Sequence, residues 1–351
     1  MGKYVTLTRK DKNLTKIKKI PGNVKSFNCD DNKIVVIENL LEGLEDFSCS
    51  GNKINKFQGL PDSILYFDCS YNFIHDFKNL PKYLKNFNCS YNKFNRIENL
   101  PKFLESLECS GNHIDEIGEE LPEYLEHFNC SDNHIREIKG LPNKLKVFWC
   151  KDTNIDKIQN LPLSLETLNC GDNSITEIEN LHEGLLNFCC CCSQIDVIKG
   201  LPSTLEFLNL TNNNIMKIEN LPEGLETFIC SYNIDIYKIE NLPKSLVVFE
   251  CENTEISVIE NLPIGLQEII YEEDFIDYVD NVDIDDINFT LKGYNAIKRI
   301  QLRMKRRFKI KNDAVKIIQN GMHDWLFKPY LKTGELGIFP RLEMRRLGIT
   351  Q

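Results

Sequence analysis

No run of about 18 apolar residues occurs anywhere in the chain, so no transmembrane helix is expected. The first sixteen residues, MGKYVTLTRKDKNLTK, lack the apolar stretch of a secretory signal. The short patterns that accompany common catalytic machinery are missing as well: no G-x-S-x-G, no Walker phosphate loop, no H-E-x-x-H and no G-x-G-x-x-G. Cysteine is absent after Cys251, which excludes a thiol nucleophile from the C-terminal segment. The one dense cysteine cluster, Cys189-Cys190-Cys191-Cys192, has no second pair at metal-ligand spacing and no His-x₃-His after it. Cys190 belongs to the core by register, and adjacent strand residues reach one tetrahedral ion only across a sharp turn. The expectation from these absences is a protein without catalytic residues, metal or cofactor.

The chain has 351 residues, 42 % hydrophobic and 27 % charged, a composition that fits a folded chain rather than a disordered one. Its formal net charge of −10 is unevenly spread. From Thr290 to Gln351 there are 15 Lys/Arg and 4 Asp/Glu, a net of +11, while the remainder holds 27 basic and 48 acidic residues, a net of −21. An acidic body and a basic tail imply two units with different tasks. Fourteen cysteines without a secretory signal point to free thiols in a reducing compartment, so a cytoplasmic location is expected. Gly2 and Thr6 fit the crude N-myristoylation pattern, although Tyr4, Val5 and Leu7 read better as a first strand.

Cysteine placement exposes the organisation. Cys29, Cys49, Cys69, Cys89, Cys109, Cys130, Cys150, Cys170, Cys190, Cys230 and Cys251 keep a spacing of twenty, with one-residue slips before Cys130 and Cys251. Leu210 and Tyr271 continue the series. Ten Leu-Pro pairs, from Leu60-Pro61 to Leu262-Pro263, keep the same beat. The aligned unit is L-P-x-x-L-x-x-F-x-C-S-x-N-x-I-x-x-I-x-N, and Leu205, Leu208, Leu210, Asn213 and Ile215 spell L-x-x-L-x-L-x-x-N-x-L outright. On these residues the chain resembles the leucine-rich-repeat family in its short, proline-containing class, over about residues 4–276. The expected fold is an α/β-type repeat solenoid, mostly β: a horseshoe with a parallel concave sheet, an extended or 3₁₀ convex side and a small C-terminal helical segment. Its parts are a partial repeat or cap at 1–20, thirteen units at 21–276, an acidic linker at 277–289 and a basic helical segment at 290–351.

Each repeat position has a physical task. F-x-C has the period of a strand with one buried side, and cysteine packs as a small hydrophobe. The Asn column (Asn32, Asn52, Asn72, Asn92, Asn112, Asn133, Asn173, Asn213 and Asn233) can satisfy backbone groups where the chain turns out of each strand. Thr153, Ser193, Thr254 and Asp274 interrupt it and predict looser turns. Proline and the short Ile-x-x-Ile return leave no room for a long convex helix.

If Phe and Cys point inward, their neighbours face outward on the sheet. These columns are polar and acidic in the N-terminal half apart from Tyr66, whereas the C-terminal half carries Val147, Trp149, Phe207, Ile229 and Val248. Exposed aromatics on an otherwise polar surface are candidate hot spots for a protein partner, and the acidity argues against nucleic acid as a ligand of the sheet. His113 and His134 sit beside the Asn turn and read as solvent-exposed, and the thiols of Cys189 and Cys191 read as oxidisable.

In the tail, Ala296, Ile297, Ile300, Met304 and Phe308 form an apolar helical stripe among Lys298, Arg299, Arg303, Lys305, Arg306 and Arg307. A second helix is expected from Asp313 through Leu326. Such a pair can cap the solenoid, or its basic faces can bind nucleic acid or an anionic membrane; the match of Ile300-Gln301 to a calmodulin-binding motif is poor. The cysteine- and asparagine-rich units with a basic C-terminal segment are also similar to leucine-rich-repeat proteins of giant DNA viruses, a resemblance that implies action in a host cytoplasm or packaging in a virion. The functional expectation is a non-catalytic scaffold that binds a protein partner on the concave sheet, with a nucleic-acid or membrane adaptor acting through the tail as the alternative.

Overall fold

The computed structural model describes residues 5–271, apart from 18–19, 39, 118–120, 240, 257 and 260–261, and also residues 278–279. Gly2, Asp274 and the whole basic segment, including Lys298, Arg299, Arg303, Arg306 and Arg307, lie outside the described residues.

The repeat sets the architecture directly. Fourteen three-residue strands, from Thr6–Thr8 through Ser26–Asn28 to Glu268–Ile270, hydrogen-bond in chain order into one parallel sheet. Every unit meets its neighbour in register, Leu7 on Phe27, Phe27 on Phe47, Phe47 on Phe67. The return side is extended: two-stranded parallel ladders join Val36–Glu38 to Lys56–Gln58, Arg96–Ile97 to Glu116–Ile117, Glu177–Ile178 to Val197–Ile198 and Val258–Ile259 to Tyr278–Val279. No helix occurs among the described residues, so the fold is a mostly β parallel solenoid of stacked coils.

The core is a set of parallel columns. Leu44, Phe47, Cys49 and Ile54 of one unit are all essentially solvent-free, as are their counterparts Leu104, Leu107, Cys109 and Ile114. Full burial of one such aliphatic or aromatic side chain stabilises by roughly 1.5–3 kcal/mol. Phenylalanine rings stack from coil to coil, with centroids 6.0 Å apart for Phe27–Phe47, 5.5 Å for Phe47–Phe67 and 5.6 Å for Phe67–Phe87. The eleven repeat cysteines are buried and unbridged, and burial pushes the thiols of Cys29 and Cys251 up to about 12. They are packing groups, inert as nucleophiles.

The Asn column joins the coils. Asn92 Nδ2 donates to the carbonyls of Cys69 and Cys89, both at 3.0 Å, and Asn92 Oδ1 accepts the Ile74 N–H at 3.0 Å. Asn52, Asn72, Asn112, Asn133, Asn173 and Asn213 repeat this bridge, each linking its own coil to the one before. Where threonine replaces asparagine the link shortens: the Thr153 hydroxyl lies 2.9 Å from Cys150 O and 2.7 Å from Asn173 Oδ1, and the Thr254 hydroxyl donates to Cys251 O. At Ser193 the hydroxyl lies 3.7 Å from Cys190 Sγ.

The turn before each asparagine requires the left-handed backbone region. Asp31, Tyr71, Tyr91, Asp132, Asp152, Asp172, Cys192, Asn212 and Tyr232 occupy it with φ between 49° and 61°. Glycine fills this position at Gly111, where a Cβ would stand 2.5 Å from the Tyr91 ring. At the other end of the unit, Pro81 O accepts the Leu84 N–H and Pro101 O the Leu104 N–H, both at 3.1 Å, so the P-x-x-L turn returns a leucine to the core.

Replacing Asn92 by alanine strands the buried Ile74 N–H and leaves the Cys69 and Cys89 carbonyls one amide donor each, from Asn72 and Asn112, and is expected to lower unfolding stability by about 1–3 kcal/mol. Thr153→Asn supplies the missing bridge and is expected to gain about 1 kcal/mol. Urea unfolding of both variants against wild type checks this; equal midpoints would refute the bridging role.

Candidate functional site

Between the first and last strands of the sheet the central residue of each strand is buried, which turns both of its flanking residues to the outer face. Val147, Trp149, Phe207, Ile229 and Val248 are there, each half-buried, and Tyr66 is 51 % exposed. Register decides which of them meet. Phe207 lies beside Thr227, Ile229 beside Glu250, and Val248 between Thr227 and Glu268. Phe207, Ile229 and Val248 therefore occupy three consecutive strands, continued by Ile270 on a fourth. Val147 and Trp149 share a strand separated from Phe207 by those of Asn169 and Cys189, roughly 14 Å away at the usual strand spacing. Tyr66 is four strands further toward the N-terminus from Val147 and is not part of the same patch.

The N-terminal part of this face is an acidic groove of about 320 Å³ lined by Asp46, Tyr66, Asp68, Asn86, Asn88, Ser106 and Glu108. Burial raises the Asp68 carboxyl above its ordinary value against the hydrogen bonds from Ser70 that lower it. The Glu108 carboxyl is pushed up to about 7 by burial, partly offset by the Asn129 amide, whose Nδ2 donates to Glu108 Oε2 at 2.8 Å. Asn129 is itself buried, a departure from the expectation that this whole column faces solvent: the side chains of adjacent strands cover one another. Glu250 is likewise pushed up to about 7 by burial, then by Glu268 and Glu252. His127 is lowered by burial and is neutral near pH 7. The arrangement can exchange protons with solvent near neutrality, and it repels phosphate groups when ionised.

Further surface aromatics come from the turns, outside the two strand columns. Tyr83, Phe103 and Tyr124 follow each proline by two residues and form a row with centroids 6.4 and 6.0 Å apart, with Lys144 Nζ 3.9 Å from the Tyr124 ring. Tyr71 and Tyr91 stack at 4.4 Å in the left-handed turn. The His113 and His134 rings stack at 6.1 Å. Reading the P-x-aromatic and S-Y-N positions as columns would have found these residues, because stacking follows from register alone.

The four-cysteine cluster divides as its register requires: Cys190 is buried in the core, and Cys189, Cys191 and Cys192 are half-buried. Cys189 and Cys191 point the same way, with sulfurs 3.8 Å apart.

No protein-family model matches the sequence. No curated protein matches it either. Solved structures do. YopM from Yersinia enterocolitica WA-314 superposes with a TM-score of 0.63 at 25 % identity, over 72 % of this chain and 60 % of that one, so the chain spans less than two thirds of that protein. YopM of Yersinia pestis, a leucine-rich effector protein, gives 0.68 at 22 % identity over 74 % of this chain and 80 % of that one. The functional domain of InlJ from Listeria monocytogenes, which includes a cysteine ladder, gives 0.58 at 20 % identity over 75 % and 60 %. The chain has the fold of leucine-rich-repeat proteins.

The acids carry a pH signature. A carboxyl raised in the folded state from about 4.5 to about 7 adds stability that is complete below the unfolded value and is lost as pH rises through the folded one. Unfolding stability is expected to fall between about pH 4.5 and 7, and Glu108→Gln to recover about 2 kcal/mol at pH 8 while flattening that slope. Denaturant titrations across this range check it; an unchanged slope in the variant would refute the assignment.

Proposed function

We propose that the protein is a non-catalytic scaffold that engages a protein partner on the outer face of its long sheet, through Phe207, Ile229 and Val248 with Val147 and Trp149 on the N-terminal side. The observation that carries this reading is the change of character along one register: where earlier units present Asp46, Asp68, Asn86 and Asn88, three consecutive late strands present an aromatic and two aliphatic side chains. Large apolar groups held half-buried on a rigid sheet lose little entropy on docking, which is how interface hot spots work. The leucine-rich-repeat fold supports the reading, since this architecture commonly serves protein interaction. Tyr66 offers a second anchor beside the acidic groove, suited to a basic segment of the partner.

A second reading rests on the +11 segment from Thr290 to Gln351, whose Lys298, Arg299, Arg303, Arg306 and Arg307 suit nucleic acid or an anionic membrane. On either reading the proposed site of action is a reducing host cytoplasm or a virion, which the unbridged thiols suit.

Affinity capture with wild type against a Trp149→Ala/Phe207→Ala double variant tests the first reading. Partner recovery is expected to fall at least tenfold, as for the loss of one or two hot spots. An unchanged bound set would overturn it. Salt-dependent binding to nucleic acid or anionic vesicles, lost on deleting residues 290–351, would favour the second.

A further inference from the structure

We propose that Asp172, Cys191 and Cys192, with Cys189 as the fourth donor, form a zinc site beside the outer face of the sheet. Adjacent cysteines on an extended strand diverge, which is why the sequence spacing argues against a site. The structure supplies the missing turn: Cys192 has a left-handed backbone, φ 53°, and folds back toward its neighbour. One ligand atom each from Asp172, Cys191 and Cys192 lie within 4.8 Å of one another. Cys189 Sγ lies outside that three-atom group but stands 3.8 Å from Cys191 Sγ. Two thiolates about 2.3 Å from one tetrahedral ion are themselves about 3.8 Å apart, so this pair already has the spacing of shared coordination.

Comparison of the units within this chain isolates the cluster. At the position of Cys189 other units carry Asn88, Asn129, Asn169 and Asn209; at Cys191, Ser70, Ser90, Ser110 and Ser131; at Cys192, Asp132, Asp152 and Asn212. One coil thus replaces three hydrophilic residues by cysteine at the three outward positions that surround a single turn. The preceding coil carries Gly171 where its neighbours have a side chain, and a Cβ there would stand 2.8 Å from Cys191 Sγ. The glycine has an ordinary φ, so the turn does not require it; the sulfur beside it does. The Asn bridge is absent from the same coil, where Ser193 stands in the column.

The donor set selects the ion. Three thiols exclude calcium and magnesium, and one carboxylate beside thiolates suits a borderline divalent ion such as zinc. With a divalent ion, three thiolates and a carboxylate carry −2; Lys151 Nζ, 3.0 Å from Asp172 Oδ2, offsets part of that charge and orients the carboxylate. Zinc binding displaces the thiol protons to solvent, so affinity rises with pH. The eleven core thiols are sealed and do not compete.

The test uses the full-length protein, reduced with a metal-free phosphine and dialysed against zinc and then against a weak chelator. One zinc per chain is expected by elemental analysis, and cobalt(II) in its place should show thiolate-to-cobalt charge transfer together with the intense visible bands of tetrahedral coordination. Cys191→Ser/Cys192→Asn should abolish both signals, and Cys189→Asn or Asp172→Asn should weaken binding at least tenfold. Each change installs a residue that other units already carry at that position, so the fold is preserved, as circular dichroism would verify. No retained metal in the wild type, or an undiminished zinc content in the double variant, would overturn the proposal.

Discussion

The structure depends on one constraint: no coil can satisfy its own backbone. A three-residue strand has no partner within its unit, and the turn that leaves it buries the carbonyls of Cys49, Cys69 or Cys89 in the core. Each of these carbonyls takes one donor from the asparagine of its own coil and a second from the asparagine amide of the next, which reaches back across the interface, while the strands find partners only through the parallel ladder. This makes the twenty-residue period a requirement of geometry, since each coil must place the same groups one strand spacing further along. The two slips show how strict it is. After Asn233 the extra residue is taken up in a turn closed by Ile236 N–H on Asn233 O at 3.1 Å; Ile236 is buried in its column while Ile234 is pushed outward. The register of the sheet is untouched, and Phe228 still meets Phe249.

What was legible in the sequence follows from this constraint. The inward columns of Leu, Phe, Cys, Asn and Ile repeat because each must stack on itself, and thirteen copies make the pattern readable without a structure. The strands, their register, the extended return side and the buried free thiols all belong to that layer. The outward columns carry no such requirement. Their burial depends on what stands on the two neighbouring strands, which is why Asn129 is covered while Tyr66 is exposed. The left-handed turn residue was readable in principle, because Asp, Asn, Gly and Tyr share one position before the asparagine. The divergence expected of Cys191 and Cys192 followed from treating the whole cluster as extended strand.

Departures from a repeat carry information of two kinds. Those in the inward columns weaken the link between coils: Thr153 and Thr254 keep one carbonyl satisfied within their own coil, and the Ser193 hydroxyl meets the Cys190 sulfur. Those in the outward columns cost the fold little, so they are free to serve chemistry. The acidic and apolar halves of the sheet face differ in this second way. Asp68 and Glu108 are carboxylates packed against one another's neighbours on adjacent strands, and their raised values reflect the desolvation that any flat parallel face imposes on the groups it carries.

The same desolvation bears on binding. A partner that covers the N-terminal half must either protonate these acids or bring cations to them, whereas one that covers Phe207, Ile229 and Val248 removes apolar surface from water without that penalty. The two halves therefore favour different segments of a ligand, and their order along the sheet gives the scaffold a direction. The cysteine-rich coil falls between Trp149 and Phe207, where the face changes from polar to apolar. A cation held there by Asp172, Cys191 and Cys192 would stiffen the turn in the one coil whose asparagine bridge is replaced by serine, restoring at its surface the cross-linking that its core lacks.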